Sequence, residues 1–240
     1  MGLILLVGPV DTGKSTLSRA VLKFPSGGDF RQGGFLLDLD MGQGSLPGAL
    51  SLFCVEGDRL LLFRRYLVGA ISPRGVEAEV VAGSGRLRGL LPPGAFAVAD
   101  TDGLADRRLR LLQAEALAPE EVWVLGDRAL YRTFSWRQDF RVRLLSPLPG
   151  ARRKTPGERR RSRTERLLAH FNGAFPRVLP YEGDPFPGLF GLLDGEGFFL
   201  GYARLLAQGG GEGLFLTPVR GEVARVVPTR ILWPSPALPG

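Results

Sequence analysis

Near the start of the chain stand Gly8, Pro9, Val10, Asp11, Thr12, Gly13, Lys14 and Ser15, a set whose types and spacing suit the binding of phosphate. Glycine at the first and sixth positions lets the backbone wrap closely around an anion, so that successive N–H groups and the N-terminus of the next helix face it. At this spacing Lys14 reaches the β- and γ-phosphates of a nucleotide, and the Ser15 hydroxyl ligates Mg²⁺. The flanks agree, because an apolar run from Gly2 to Val7 precedes the loop and Leu17, Ala20, Val21 and Phe24 follow at helical spacing. A strand, a phosphate loop and a helix are expected here, and with them a bound nucleoside triphosphate.

A second apolar strand, Gly34 to Leu37, climbs into D-L-D-M-G-Q-G, Asp38 to Gly44. Two carboxylates two residues apart at a strand end point to the same side of a sheet. In parallel α/β sheets ligands sit at the C-terminal ends of the strands, so Asp38 and Asp40 should face the phosphates. One of them can hold Mg²⁺ and the other can take a proton from an attacking hydroxyl. Asp40 lies further past the strand end, nearer to where an acceptor arrives. It is the preferred base, with Asp38 in the metal shell.

The third group is basic. Arg152, Arg153, Lys154, Arg159, Arg160, Arg161, Arg163 and Arg166 face only Glu158 and Glu165 in the same window, and much of the formal net charge of +7 is concentrated there. Residues 158–171 have the pattern of a helix, on which Arg159, Arg163 and Arg166 share one face with Arg160 close beside it. Such a helix placed after the sheet suits a lid whose guanidinium groups close on phosphoryl oxygens.

To position these groups the sequence offers alternating strands and helices. Ala49 to Val55 and Arg59 to Leu67 have the pattern of two strands joined by the tight turn Glu56-Gly57-Asp58. Val76 to Leu90 is ambiguous, with helical spacing interrupted at Gly83-Ser84-Gly85. Ala95 to Ala99 has the pattern of a buried strand that ends in A-D-T-D-G, Leu104 to Leu117 of an amphipathic helix, and Glu121 to Leu125 and Phe140 to Leu145 of further strands. The expected fold is α/β, a doubly wound parallel sheet around the phosphate loop with an arginine-rich lid. Pro25-Ser26-Gly27-Gly28 breaks the pattern after the first helix. From Phe175 onward Pro and Gly punctuate short apolar runs, so residues 1–173, including the lid region 151–173, are expected as one domain and residues 174–240 as a small β-rich module.

At 240 residues there is room for such a core and an appendage. The single cysteine, Cys54, excludes an internal disulfide and a cysteine-rich metal site. Met1 to Val7 is too short and too uncharged for a signal peptide, and no run approaches the roughly 20 apolar residues of a membrane span. A cytoplasmic location is the simplest expectation. The sequence pI of about 10.3 makes an anionic partner plausible.

Taken in order, G-P-V-D-T-G-K-S-T (8–16), D-L-D-M-G-Q-G (38–44), V-G-A-I-S-P (68–73), A-D-T-D-G (99–103), the arginine helix (158–173), G-L-L-D-G-E-G (191–197) and L-T-P-V (216–219) resemble the P-loop polynucleotide 5′-hydroxyl kinases. That family includes the kinases of RNA 3′-end, transfer-RNA and ribosomal-RNA processing. The resemblance implies ATP and Mg²⁺ as cofactors and a nucleic acid with a 5′-hydroxyl end as substrate. It implies Lys14 as the phosphate-binding lysine, Ser15 or Thr16 as the metal hydroxyl, and Asp38 and Asp40 as the metal and base carboxylates. Gln43 would order the metal's waters or the phosphate, Thr101 to Gly103 would clasp the nucleic acid, and arginines among Arg159, Arg160, Arg163 and Arg166 would close over ATP. Where family members usually carry tryptophan after the T-x-G element this chain has Leu104, and it starts at the Walker strand without the N-terminal β-domain of many members, as expected of a minimal version.

Three alternatives remain beside this reading. Asp100 to Gly103 also fits the D-x-x-G of GTPases, but the only asparagine is Asn172, which rules out the guanine-reading N-K-x-D. An ATP-binding assembly factor without phosphotransfer and a small-molecule kinase use the same loop. The aromatic group Tyr131, Phe134 and Trp136, among Arg128, Arg132 and Arg137, could stack a terminal base, although aromatics before a strand more often belong to a core.

Overall fold

The computed structural model describes residues 2–23, 33–57, 59–104 and 106–233. Phe24, the break at 25–28 and Asp58 in the turn lie outside them. The first strand, β1 (Leu3–Val7), is apolar at every position because both its faces are covered. Leu3, Leu5 and Val7 join one buried cluster, and Leu6 with half-buried Ile4 joins another on the opposite face.

Around β1 the chain lays out α1 (Lys14–Lys23), β2 (Phe35–Leu39), β3 (Ala49–Glu56), β4 (Arg59–Leu67), α2 (Glu77–Arg88), β5 (Ala97–Thr101), α3 (Arg107–Leu117), β6 (Glu121–Leu125), α4 (Arg128–Ser135) and β7 (Arg141–Leu145). These strands form a seven-stranded sheet in the order β4-β3-β2-β5-β1-β6-β7. From β2 to β7 all neighbours are parallel, whereas β3 and β4 form an antiparallel hairpin on the β2 edge. Leu22 of α1 packs with Leu6, Leu36 and Val98 on one face, while α2, α3 and α4 supply Val80, Leu87, Leu109, Leu117, Leu130 and Phe134 to the other. Helices therefore cover both faces of a mostly parallel sheet, as the alternation in the sequence requires.

Helix α2 runs unbroken through Gly83-Ser84-Gly85. Tertiary packing outweighs the low helix propensity of glycine here: a Cβ on Gly83 would strike the Tyr66 ring, so the residue's smallness lets the helix sit close on β4. Ser84 donates its hydroxyl to the Val80 carbonyl at 2.8 Å and accepts from Gln113 of α3 at 3.4 Å.

After β7 come α5 (Pro156–His170) and then β8 (Phe175–Pro180), β9 (Gly188–Leu193), β10 (Phe199–Gly209), β11 (Glu212–Thr217) and β12 (Arg225–Leu232). The last five make an antiparallel sheet in the order β12-β9-β10-β11-β8. It carries its own core of Leu179, Phe190, Leu192, Ala203 and Phe215. A further cluster joins Leu46 of the turn before β3 and Ala49 of β3 to Leu189, Phe199, Tyr202 and Ile231, and it includes Leu167 near the end of α5. The Tyr202 hydroxyl donates to the Pro47 carbonyl at 2.7 Å across this junction.

Candidate functional site

The loop between β1 and α1 has the backbone its glycines allow. Gly8 has φ +146 and stands so close to the Leu125 carbonyl of β6 that no side chain fits, and Gly13 has φ +90. Lys14 is buried at 6 % exposure, and its Nζ donates to the carbonyls of Gly8 at 2.9 Å and Pro9 at 2.7 Å. Burial lowers its pKa, while Asp100 and Asp40 pull the other way. Asp11 has φ +60, and its carboxylate accepts from the Lys154 backbone N–H at 3.0 Å and from the Arg159 guanidinium. The phosphate loop is thereby tied to the start of the lid helix.

Asp38 and Asp40 sit at the end of β2 as read from the sequence, but they do not open equally. Asp38 Oδ2 accepts from the Ser45 N–H at 2.7 Å, and Asp40 Oδ1 accepts from Gly42 and Gln43 N–H at 2.9 and 2.8 Å. A cavity of about 590 Å³ is lined by Asp40, Lys14, Arg159 and Arg163, with Ile71, Thr101, Gly103 and Leu104 also in its wall. A second cavity, of about 560 Å³, is lined by Asp38, Asp100, Arg19 and Arg166. Ser15, Thr16, Asp40, Gln43 and Lys154 belong to both. Asp40 has stepped past the strand into a turn that its own side chain closes, and from there it borders both cavities. Burial raises the pKa of Asp38 to about 6, helped by the charge of Asp40, and burial likewise raises that of Asp40.

The end of β5 supplies a carboxylate that the sequence reading passed over. Asp100 is the register partner of Asp38, is 5 % exposed, and has an Oδ1 with no hydrogen-bond partner. Burial lifts its pKa to about 7, with Ser15 beside it lowering it and Asp38 and Asp40 raising it. Its signal in the sequence is A-D-T-D-G, a carboxylate at the end of the strand next to β1, in which Asp100 fits only the D-x-x-G pattern while Thr101 to Gly103 match the clasp. Thr101 donates its hydroxyl to the Leu6 carbonyl at 2.8 Å, and Gly103 lies against the Val10 backbone so closely that a Cβ would collide with it. Asp102 is paired with the fully buried Arg110, which also donates to the Leu104 carbonyl at 3.1 Å and holds this loop in shape.

Helix α5 begins at a capping box in which the Thr155 hydroxyl accepts from the Glu158 N–H and the Glu158 carboxylate accepts from the Thr155 N–H. Arg159 and Arg163 reach the first cavity and Arg166 the second, where it also donates to the Gln43 and Gly44 carbonyls. Arg160 is exposed and lines neither cavity, because the helical turn carries it outward from the face shared by the other three. Gln43 donates Nε2 to the Arg159 carbonyl at 3.3 Å, and its Oε1 is buried without a partner. The aromatic group is not part of the site. Phe134 is fully buried against Phe140, Tyr131 packs on the core, and Trp136, although 67 % exposed, follows α4 at the sheet end opposite the phosphate loop.

The donors present fit a divalent cation accompanied by phosphates. Asp100, whose Oδ1 is buried without a partner, lines the same cavity as Asp38, and Ser15 is also in its wall. Among the described residues no three His, Cys, Asp or Glu side chains form a self-sufficient metal cage. That suits Mg²⁺, which is commonly held by one or two carboxylates plus nucleotide phosphates.

A family model described as the P-loop of the mRNA cleavage and polyadenylation factor CLP1 matches residues 8–173. Among solved structures, a complex of wild-type Clp1p with a Pcf11p fragment superposes with a TM-score of 0.71 at 16 % identity, covering 93 % of this chain and 72 % of that one. A second, of the extended Pcf11p–Clp1p interface together with the basis of ATP loss in a glycine-to-arginine mutant, gives a TM-score of 0.69 at 15 % identity, covering 95 % and 74 %. No curated protein sequence matches the chain.

Proposed function

The chain belongs to the CLP1 P-loop family, and on that premise we propose that this nucleotide-binding protein is an ATP-dependent polynucleotide 5′-hydroxyl kinase acting in RNA processing. The observation that carries the reading is the convergence of Lys14, Asp40, Arg159 and Arg163 on one cavity whose wall also includes the 71–73 and 101–104 loops. An ATPase that only switches conformation has no need of a carboxylate facing the lid arginines across room for an acceptor.

In this reading the backbone N–H groups of residues 8–16 cradle the phosphates, and Lys14 exchanges its bonds to the Gly8 and Pro9 carbonyls for phosphate oxygens. Ser15, Asp38 and Asp100 would hold Mg²⁺, with Gln43 beside them, and the ion would supply charge neutralisation at the phosphates. Asp40 accepts the proton of the 5′-hydroxyl. Its raised pKa makes it a stronger base than an ordinary aspartate while its carboxylate stays fixed by Gly42 and Gln43. Arg159 and Arg163 meet the charge that develops on the moving phosphoryl group.

Labelled ATP incubated with 5′-hydroxyl RNA and DNA oligomers tests the reading, and Lys14→Ala should abolish transfer. Transfer at the wild-type rate by that variant would remove the loop from the active centre. A second reading, an ATP-binding assembly factor with a protein partner, is favoured by one observation: both superposed structures concern Clp1p with Pcf11p. ATP binding without transfer to any oligomer would select it.

A further inference from the structure

On the far side of the 69–76 loop lies a cleft of about 320 Å³ between the two sheets. Three arginines from two stretches of chain line it: Arg86 on α2, and Arg225 and Arg230 on β12. Glu79 is the single carboxylate among the lining residues. A Cβ on Gly197 would stand 2.9 Å from Arg225 Nη2 and 3.4 Å from Arg86 Nη1, so two like charges share one small space. None of the three arginines makes an ion pair among the described residues. Arg86 lies over the Phe198 ring at 4.4 Å and donates to the Glu196 carbonyl, and Arg230 Nη1 donates to the Gly75 carbonyl at 3.2 Å. These contacts aim the guanidinium groups without neutralising them.

Convergent cations without carboxylate partners repel one another unless an anion joins them, and planar guanidinium donors match phosphate oxygens. The cleft also shares a wall with the active cavity. Ile71, Ser72 and Pro73 line the cavity, while Val68, Gly69 and Val76 of the same loop line the cleft. Consecutive Cα atoms are about 3.8 Å apart, so Pro73 and Val76 are separated by at most about 11 Å of chain, a distance that a few nucleotides cross.

We infer that the cleft bearing Arg86, Arg225 and Arg230 binds phosphodiesters of the polynucleotide acceptor downstream of its 5′ end. This rests on the kinase reading for the identity of the acceptor. The sites divide the labour: the cavity holds the reacting end, and the cleft holds the following backbone without reading bases.

The test compares wild type with Arg225→Gln/Arg230→Gln, a pair outside the phosphate-transfer cavity. Binding of a fluorescent 5′-hydroxyl 12-mer is measured by anisotropy over a salt series, and transfer is measured to a nucleoside 3′-monophosphate and to the 12-mer. The variant should bind the 12-mer at least about tenfold more weakly, with a salt slope smaller by about 1.4, from about 0.7 per lost single-strand phosphate contact. Transfer to the mononucleotide should be unchanged. Equal 12-mer affinity and slope in the two proteins overturns the proposal, as does an equal loss for the mononucleotide. Loss of polyglutamate binding with 12-mer binding intact also overturns it and makes the cleft a protein-docking site. Wild-type transfer to the mononucleotide without any gain from length sinks the cleft alone, whereas cleft-dependent 12-mer binding without transfer sinks the kinase reading alone. Arg86→Lys checks the third position, because it keeps the charge over Phe198 but loses the planar fork, and should cost 12-mer affinity while the fold holds.

Discussion

Asp38 and Asp100 are register partners on the neighbouring parallel strands β2 and β5, a half-buried and a buried carboxylate side by side at the strand ends next to the phosphate loop. The Asp38 charge raises the Asp100 pKa, to about 7 in total with burial as the larger cause. A pair of this kind is costly when both members are ionised and favourable when a cation lies against them. Their placement therefore makes a statement about divalent metal that neither residue makes alone.

From that pair follows the first prediction. Asp100→Asn should weaken nucleotide binding about tenfold in Mg²⁺, or roughly 1.4 kcal/mol, and leave binding in excess EDTA nearly unchanged. Calorimetric titration in the two buffers measures both numbers. An equal loss in both would assign Asp100 to the fold of β5 and not to the cation.

Asp40 and Asp38 should separate kinetically. Asp40 opens onto the cavity that Arg159 and Arg163 line and Asp38 does not, so Asp40→Asn should keep Mg·ATP affinity while lowering transfer by roughly a hundredfold or more. Asp38→Asn should instead raise the Mg²⁺ concentration needed for half-maximal transfer. Full transfer by the Asp40 variant, with loss in the Asp38 variant at saturating Mg²⁺, would exchange the two roles.

Position on the lid helix sets the third expectation. Arg163→Ala should lower kcat by about two to three orders of magnitude with a small change in ATP affinity, the pattern of a contact made chiefly in the transition state. Arg160→Ala should change kcat less than about twofold, because its side chain is exposed and outside both cavities. Single-turnover transfer with pre-bound ATP distinguishes these from binding defects. A large kcat loss for Arg160→Ala would require the lid to turn on closing.

The parts of this architecture that the sequence made legible are those with local causes. The phosphate loop is set by its own glycines, and β1 is set by an apolar run that only burial on both faces explains. What escaped depends on contacts between distant segments. Gly83-Ser84-Gly85 looks like an interruption until Tyr66 is seen to occupy the space that a side chain would fill. Asp100 looks like part of a D-x-x-G turn until strand order sets β5 between β1 and β2. The face of the lid helix was readable from its period, but a position one step off that face, Arg160, was not resolved. Trp136 shows the same limit, since its distance from the phosphate loop follows from strand direction and not from its basic neighbours.

His170 gives a prediction about stability. The only histidine in the sequence, it stands at the end of the lid helix, and its Nε2 accepts from the Tyr202 N–H of β10 at 2.9 Å. That bond requires an unprotonated Nε2. Burial, and then the charge of Arg65, lower the histidine pKa to about 4 from an ordinary value of 6.5. Between those values the unfolded chain binds a proton that the folded chain excludes, so this group's contribution to stability rises with pH across the window and is flat above it. Asp38 and Asp100 act with opposite sign, because their raised folded-state values favour the folded protein at low pH and that contribution is lost as pH rises through about 6 to 7. Whole-protein stability mixes the two trends, and comparison with His170→Gln isolates the first. Gln can still accept from Tyr202 but does not titrate. Urea unfolding at pH 7.5 and at pH 4.5 should show wild type losing about 2–3 kcal/mol relative to the variant at the lower pH. A difference between the two proteins that stays constant with pH would mean that His170 is hydrated and free to charge, and that the lid helix is not anchored to the second sheet through this bond.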